Sequence, residues 1–175
     1  MRSFISIDIP EDVQEEIIKI QEQLPEFVGK KTECKNIHLT LKFLGEVDEL
    51  KVNEIKRRLK EINFEKFEAE IDSIGVFSEK FIRIIWLHLT NCDKLQKIID
   101  GGLKGLFEKE KRFMSHLTIA RVKNIRDKKK FLDELRNVKL PEMRFNVDYF
   151  ELKSSILRKE GPDYFTIEKY RLKSF

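Results

Sequence analysis

The sequence has little cysteine and no long apolar segment. Its 175 residues include two cysteines, Cys34 and Cys92, and no Cys-x-x-Cys pair. Two cysteines are too few for a disulfide scaffold or a cysteine-based zinc site. No apolar run approaches the ~18 residues that a membrane span needs. The opening segment reaches Asp8 too early to be a signal peptide. These absences predict a reduced, cytoplasmic protein that is not bound to a membrane.

Charged residues are abundant and unevenly placed. They make up 38% of the chain, beside 41% hydrophobic residues, which excludes a disordered chain. Residues 1–90 carry 14 basic and 18 acidic side chains, whereas residues 91–175 carry 21 and 13. A basic second half favours an anionic partner such as nucleic acid. Taken alone, the charge is explained more simply by solvated lysines.

Two kinds of periodicity alternate along the chain. Alternation of apolar and polar residues, or short apolar runs between turn residues, predicts strands over 2–9, 37–44, 67–76, 81–89, 116–122, 145–153, 154–158 and 164–170. Apolar residues at a spacing of three to four predict helices over 10–24, 48–62, 91–106 and 128–138, with Asp48 and Asn91 as N-caps of the second and third. Because several strands follow one another through short turns, the pattern predicts an α+β fold with antiparallel sheets.

The chain has three histidines, and each is followed by Leu-Thr. Two of the copies match further, because residues 38–41 (His-Leu-Thr-Leu) and 116–119 (His-Leu-Thr-Ile) are both His-x-Thr followed by an aliphatic residue in a predicted strand. The third copy, residues 88–91, ends in asparagine at a predicted helix start. The first two copies therefore form a matched pair.

The spacing within this pair has a chemical meaning. In a strand, residues i and i+2 point to one face, so each motif presents an imidazole beside a hydroxyl while the leucine between them points into the core. Imidazole titrates near neutral pH, so one ring can take a proton while the other gives one. Threonine hydroxyls can donate hydrogen bonds to phosphoryl oxygens. Two such strands facing one cavity suit in-line displacement at phosphorus, and no metal is needed when a strained ring already holds the leaving oxygen.

Simpler interpretations stay open for the same residues. A single His-x-Thr in a strand is usually a half-buried polar face, and only the matched pair favours catalysis. A zinc site built from the histidines is a weaker alternative, because no third cysteine, histidine or carboxylate stands at ligand spacing. His88 follows the apolar residues around Trp86 in a pattern typical of a core strand, which favours a structural role for it.

The two motifs and their flanks resemble a known family. Residues 36–46 are similar, nearly residue for residue, to the first signature motif of the RNA 2′,3′-cyclic phosphodiesterases, also called 2′-5′ RNA ligases, within the two-histidine (2H) phosphoesterases. Residues 115–122 resemble the second motif, and residues 1–10 resemble the opening strand. Ser115 stands where the family usually has proline, and this position is not one of the motif histidines or threonines that carry the chemistry.

The resemblance implies a fold, an activity and site residues. The fold is a single bilobed α+β domain over residues 1–175, with two antiparallel sheets, outer helices and pseudo-twofold symmetry about a central cleft. The activity is hydrolysis of RNA 2′,3′-cyclic phosphate ends to 2′-phosphomonoesters, without metal or cofactor. His38 is then the proton donor to the leaving 3′ oxygen and His116 the proton acceptor from water, while Thr40 and Thr118 hold phosphate oxygens.

Arg121 and Phe43 each stand five residues after a motif histidine. The same resemblance gives Arg121 a cationic contact to phosphate and lets Phe43 stack on the terminal base. Strict alternation puts a residue at this odd offset on the opposite face of the strand, unless a bulge intervenes. Arg121 can therefore also be a solvated charge, and Phe43 a core residue. The basic side chains within residues 121–130 are candidates for contacts to the RNA backbone.

Three further possibilities for function stay open. The substrate can be a small cyclic nucleotide instead of RNA. RNA ligation, with a 5′-hydroxyl in place of water, is the reverse chemistry and uses the same two histidines. A non-catalytic module that binds RNA ends is the third, although binding alone does not need two titratable rings. The partner implied by the resemblance is RNA with 2′,3′-cyclic phosphate ends, such as tRNA halves, bound by a monomer.

Overall fold

The computed structural model of the protein describes residues 1–174, which form nine strands and four α-helices. The strands are β1 (Arg2–Asp8), β2 (Val28–Lys31), β3 (His38–Glu46), β4 (Phe67–Val76), β5 (Ile84–Leu89), β6 (His116–Asn124), β7 (Arg144–Val147), β8 (Tyr149–Arg158) and β9 (Gly161–Arg171). The helices are α1 (Glu11–Glu22), α2 (Glu49–Lys60), α3 (Asp93–Gly102) and α4 (Lys128–Arg136). None of the helices in residues 1–174 is both long and apolar enough to cross a membrane.

The strands form one curled antiparallel sheet in the order β7-β4-β5-β6-β3-β1-β8-β9, with β2 added beside β6. The central strands β3 and β6 are paired at one register position, Leu39 opposite Leu117. Farther along β6, β2 becomes the neighbour instead of β3. The two halves of the sheet therefore diverge and leave a cleft between them. This arrangement confirms the α+β fold, but the two expected sheets are one continuous sheet, because β3 and β6 pair at its centre.

The hydrophobic core fills the space between one face of the sheet and the helices. Ile5 and Ile7 of β1 and Leu39 of β3 are almost fully buried there, together with the apolar faces of α1 and α2. Because side chains alternate along a strand, the residues between these positions point to the opposite, concave face of the sheet. The alternation that predicted the first strand thus also separates core positions from cleft positions.

A buried ion pair joins β3 to the segment before β6. Lys42 is 5% exposed, and its Nζ lies 2.5 Å from Asp100 Oδ1 on α3 and 2.8 Å from the Glu108 carbonyl oxygen. Burial opposes ionisation of Asp100, but hydrogen bonds from Lys42, the Glu110 amide and Gln96 outweigh it and lower the Asp100 pKa. These bonds fix the chain that leads into the second motif relative to the first motif strand.

The two predicted N-caps have different outcomes. Asp48 caps α2 as predicted, since its carboxylate accepts a hydrogen bond of 2.8 Å from the Lys51 amide. The prediction for Asn91 was wrong, because α3 begins one residue later, after Cys92. Asn91 has a φ of 66°, which asparagine tolerates better than most residues, and its side-chain amide donates to the Glu68 carbonyl on β4.

Several predicted boundaries also change. The strand break expected between residues 153 and 154 lies at Asp148, where β7 ends and β8 begins. Residues 161–163, which lie outside the strands predicted at 154–158 and 164–170, are the start of β9. β2 was not predicted, because all four of its residues are exposed and show no apolar alternation. α3 ends at Gly102 instead of residue 106, since two successive glycines give little helical preference.

Candidate active site

The two His-x-Thr motifs occupy the centre of the sheet, one on β3 and one on β6. In both, the histidine and threonine are half-buried and the residue between them is buried. Since Leu39 lies opposite Leu117 in an antiparallel pair, His38 is next to Thr118 and Thr40 is next to His116 on the concave face. The structure therefore brings together the four motif side chains.

Each motif histidine is held by a backbone carbonyl two residues before it. His38 Nδ1 lies 2.8 Å from the Asn36 oxygen, and His116 Nδ1 lies 2.8 Å from the Met114 oxygen. A carbonyl oxygen only accepts, so Nδ1 donates its proton in both rings and Nε2 is the nitrogen whose protonation can change. His38 Nε2 also lies 2.9 Å from Thr40 Oγ1. The two rings are thus held in the same way at Nδ1, and they differ at Nε2.

A bulge in each motif strand decides where the residues at offset five lie. The pairing of β3 with β1 skips Leu41, and the pairing of β6 with β5 skips Ile119. One extra residue shifts the alternation, so Phe43 and Arg121 join the face that carries the histidines. Both are exposed, Phe43 by 71%. The alternative in which Phe43 is a core residue is therefore wrong.

His38 is enclosed by two aromatic rings. The ring centroids of Phe4 on β1 and Tyr164 on β9 lie 5.1 and 5.0 Å from that of His38. Burial lowers the pKa of His38 to about 4, with smaller contributions in the same direction from the charges of Lys153 and His116 and opposing ones from the Asn36 carbonyl and Asp8. His38 is consequently neutral at pH 7 in the free protein.

Charged side chains surround Tyr164 and the outer side of His38. Lys153 on β8 pairs with Asp8, which lies opposite His38 in the β1–β3 register, and with Glu151 at 3.3 Å. Burial raises the pKa of Tyr164, although the positive charges of Arg121, Lys153 and Arg2 each lower it by a smaller amount. Arg121 therefore acts electrostatically on a ring that packs against His38.

His116 has a more open environment. The Phe77 ring, 54% exposed, stands perpendicular to it at a centroid distance of 4.9 Å. Phe77 also contacts Trp86, whose ring covers Gly75 so closely that a Cβ there would lie 2.7 Å from it. Gly75 therefore leaves the space that the Trp86 ring occupies over β4, next to Thr118 of the second motif.

The third histidine also lies in the cleft. His88 is directly opposite His116 in the β5–β6 register, its side chain is 31% exposed, and its Nδ1 lies 2.7 Å from Asp72 Oδ1. β5 is an interior strand, as the pattern around Trp86 indicated, but the His88 side chain is not part of the core, because β5 alternates strictly and buries Leu87 and Leu89 while turning His88 to the concave face.

The three histidines are half-buried on the concave face of the sheet. A cavity of about 730 Å³ lies elsewhere, lined by residues that include Asn63, Phe67, Asn91 and Lys94, and no histidine is among them. In the part of the chain that the structure describes, no group of three histidine, cysteine or carboxylate side chains is close enough to hold a metal ion.

Comparison with known proteins identifies the family. The sequence profile of the family described as LigT like phosphoesterase matches residues 7–86 and 90–164, and each segment contains one His-x-Thr motif. The chain belongs to the LigT-like phosphoesterase family. In this LigT-like phosphoesterase, two consecutive segments match the same profile, and each of them contains one of the two motifs.

Individual relatives agree with this assignment. An RNA 2′,3′-cyclic phosphodiesterase of Methanocaldococcus jannaschii is 39% identical, covering 97% of this chain and 100% of the relative. One of Thermotoga maritima is 37% identical, covering 94% and 91%. A crystal structure from Thermus thermophilus superposes with a TM-score of 0.83 at 24% identity, covering 99% of both chains. Escherichia coli LigT complexed with 3′-AMP gives 0.80 at 23% identity, covering 98% of both. The LigT-like phosphoesterase thus shares the LigT fold along nearly its whole length.

Sequence reasoning missed the aromatic side chains that cover the two histidines. Tyr164 comes from β9 and Phe77 from the residue after β4, and neither stands in a motif. For Phe4, the sequence did contain evidence of its position. Alternation in the first strand places Phe4 on the same face as Asp8, and Asp8 lies opposite His38. The other two become visible only when the sheet order is known.

Proposed function

We propose that this LigT-like phosphoesterase hydrolyses 2′,3′-cyclic phosphate ends of RNA to 2′-phosphomonoesters. The observation that carries the proposal is the pair of imidazoles on one face of the sheet, each with Nδ1 bound to a carbonyl, so that Nε2 is the nitrogen that exchanges a proton, beside the Thr40 hydroxyl in the case of His38. Two relatives more than a third identical over nearly the full chain are named for this activity. A nucleotide with a 3′-phosphate binds a protein of the same fold.

The proposed reaction is an in-line displacement at phosphorus. His116 Nε2 takes a proton from water as the water oxygen bonds to phosphorus. The bond from phosphorus to O3′ breaks, and His38 Nε2 gives that oxygen a proton, leaving a 2′-phosphate and a 3′-hydroxyl. Thr40 and Thr118 donate hydrogen bonds to the phosphoryl oxygens, and Arg121 adds positive charge where negative charge develops. Phe43, exposed on the same face, stacks on the terminal base.

The low pKa of His38 constrains this scheme. Because Nδ1 holds its proton on the Asn36 carbonyl, His38 can donate a proton from Nε2 only as an imidazolium, yet burial keeps it neutral near pH 7 in the free protein. A cyclic phosphate carries one negative charge, and an opposite charge at contact distance favours the imidazolium form. His38 thus becomes protonated only with substrate bound. The reversed assignment, with His38 as base, needs no such change.

The reaction itself is tested on an RNA oligonucleotide that ends in a 2′,3′-cyclic phosphate, incubated with the purified protein in EDTA. The expected product is heavier by one water, is sensitive to phosphatase, comigrates with a 2′-phosphate standard, and becomes sensitive to periodate only after phosphatase treatment. A product that comigrates with the 3′-phosphate standard would contradict the regiochemistry. Binding without turnover would favour the RNA-end-binding module.

A second substrate separates the roles of the two histidines. Sulfur in place of O3′ leaves as a thiolate and needs little protonation, since thiols have a pKa about 8.5. We expect this substrate to restore most of the turnover of His38→Ala and little of that of His116→Ala. Rescue of His116→Ala alone would instead make His38 the base.

RNA is distinguished from a small cyclic nucleotide by length dependence. The exposed lysines 128–130 lie at the start of α4, and Lys128 Nζ donates to the Lys80 carbonyl in the segment that follows Phe77. They are therefore on the His116 side of the molecule, where an RNA strand that leaves the cleft can meet them. We expect oligonucleotides to be preferred over mononucleotides, with a preference that falls as salt rises and when these lysines are neutralised. Equal turnover of both substrates would favour the small-nucleotide alternative.

A further inference from the structure

His88 is a third imidazole on the face that holds the reacting pair. It lies directly opposite His116 in the register of β5 and β6. Side chains at directly opposed positions have Cβ atoms roughly 5 Å apart. The mechanism above uses His38 and His116 and assigns nothing to this ring.

Asp72 fixes the orientation of His88. The pairing of β4 with β5 skips Asp72, so this residue forms a bulge opposite His88, and its carboxylate accepts a 2.7 Å hydrogen bond from His88 Nδ1. His88 Nε2 has no hydrogen-bond partner among residues 1–174. A ring held at one nitrogen by a carboxylate, with the other nitrogen unbonded on a cleft face, is set to bind a ligand atom.

The other half of the sheet has no such ring. The position opposite His38 is Asp8, and the nearby cation, Lys153, is already engaged by Asp8 and Glu151. The outer side of His116 therefore differs in chemistry from the outer side of His38. On the His116 side, His88 is an additional group that can contact an anion. On the His38 side, the charge of Lys153 is already balanced by carboxylates.

We propose that His88, oriented by Asp72, is a substrate-binding residue that contacts the non-reacting phosphodiester next to the reacting phosphate of RNA. The inference rests on the proposed function. The reacting phosphate lies between β3 and β6, where the four motif side chains converge, and β5 is one strand farther out. His88 Nε2 therefore meets the adjoining part of the RNA chain. Because Nδ1 already donates to Asp72, the ring donates from Nε2 to a phosphodiester oxygen as an imidazolium, and the Asp72 carboxylate balances its positive charge.

The test compares two substrates that differ by one nucleotide. The first is adenosine 2′,3′-cyclic phosphate, and the second is a dinucleotide that ends in the same group. The ratio of their kcat/KM values measures the contribution of the added phosphodiester and nucleoside. We expect His88→Gln to lower this ratio about tenfold, mainly through KM, and Asp72→Asn to lower it about threefold. Lys19→Ala, an exposed residue of α1 paired with Glu16, serves as the control with an unchanged ratio.

A dinucleotide with a neutral methylphosphonate linkage completes the cycle. In the wild-type protein it should lose about the same factor as His88→Gln, and His88→Gln should lose little more on it. An unchanged ratio in His88→Gln overturns the proposal. An equal loss on the mononucleotide also overturns it, because His88 would then act on the reacting group.

Failure of the proposed function gives a different result. In that case the wild-type protein turns over neither substrate. The same two dinucleotides, anionic and neutral, are then compared by binding affinity in wild type and in His88→Gln. A preference for the anionic linkage that disappears in the variant supports the His88 contact, and a preference that persists overturns it.

Discussion

The strands β3 and β6 repeat one arrangement of side chains over nine positions, with the same order of buried and exposed residues. Each holds its histidine through a carbonyl two residues earlier, and each has a bulge three residues after the histidine. They differ in the next two residues, which are Lys42 and Phe43 in β3 but Ala120 and Arg121 in β6. The backbone that positions two rings is repeated, and the chemistry around those rings is not.

The surroundings of the two rings widen this difference. His38 lies between Phe4 and Tyr164 and is neutral in the free protein, whereas His116 contacts one exposed ring, Phe77, and has His88 beside it. In the proposed mechanism, burial makes His38 depend on the substrate for its proton, and the more open side of His116 leaves room for more of the substrate. Symmetry of the strands therefore does not require symmetry of the roles.

The largest expected effect tests whether both halves are needed. We expect His38→Ala and His116→Ala each to lower kcat on the RNA cyclic phosphate by on the order of 10³-fold. The double variant should be little worse than either single one, because the two rings act in one step. Turnover measured by mass, with Lys19→Ala as control, checks this. A double variant whose loss is the product of the single losses would mean that the rings act independently.

Making β3 more like β6 should destabilise the fold. Lys42→Ala introduces the residue found at Ala120, but it leaves Asp100 buried without its cation. We expect the free energy of unfolding to fall by about 3–5 kcal/mol, since a buried charge loses its partner. Urea unfolding measures it, and Lys42→Met with Asp100→Asn should recover part of the loss. A fall below about 1 kcal/mol would show that water or another group replaces the pair.

The enclosed ring should also affect stability at low pH. His38 has a pKa of about 4 in the folded protein, against about 6.5 in the unfolded chain. As pH falls below about 6.5, the unfolded chain takes up the proton before the folded protein does, so the free energy of unfolding decreases. At about pH 4 the folded protein also takes up the proton, and the stability that came from a neutral His38 at pH 7 has been lost. The difference corresponds to roughly 3 kcal/mol. The drop in unfolding free energy between pH 7 and pH 4 should be smaller in His38→Gln than in wild type by this amount, and equal drops would contradict the burial argument.

The smallest expected effects come from the residues at offset five. Arg121→Gln should lower kcat/KM about tenfold and reduce the salt dependence of binding by about one charge. Phe43→Leu should raise KM about fivefold through lost stacking, with no change in the salt slope. Steady-state kinetics at several salt concentrations measure both. If Arg121→Gln and Phe43→Leu have the same salt slope, the assignment of a charge contact to Arg121 and a stacking contact to Phe43 is wrong.

Local pattern predicted much of this molecule. Alternation placed Ile5 and Ile7 in the core, spacing placed each threonine beside its histidine, and Asp48 was identified as a helix cap. These features depend on residues within a few positions of one another, so a single sequence contains them. The third Leu-Thr was not interpreted as a sign that His88 lies in the cleft, and the pattern around Trp86 favoured a structural role for this histidine instead.

The rest depends on residues far apart in the chain. The bulge at Leu41 is defined by its pairing with β1, and Lys42 meets Asp100 across 58 positions. Tyr164 reaches His38 only because β9 lies beside β8 and β8 beside β1. A single sequence gives no distances between such residues, which is why the core alternative for Phe43 stayed open.

The paired bulges have a consequence for recognising related sequences. A strand with strict period two would carry its cleft residues at even offsets from the histidine, yet here the third one stands at offset five, at Phe43 and again at Arg121. A bulge that shifts the alternation at the same offset from a histidine in two segments of one chain is hard to obtain by chance. It forms a signature that combines residue identity with backbone geometry, and it can be searched for where the histidine motif alone is too short to be decisive.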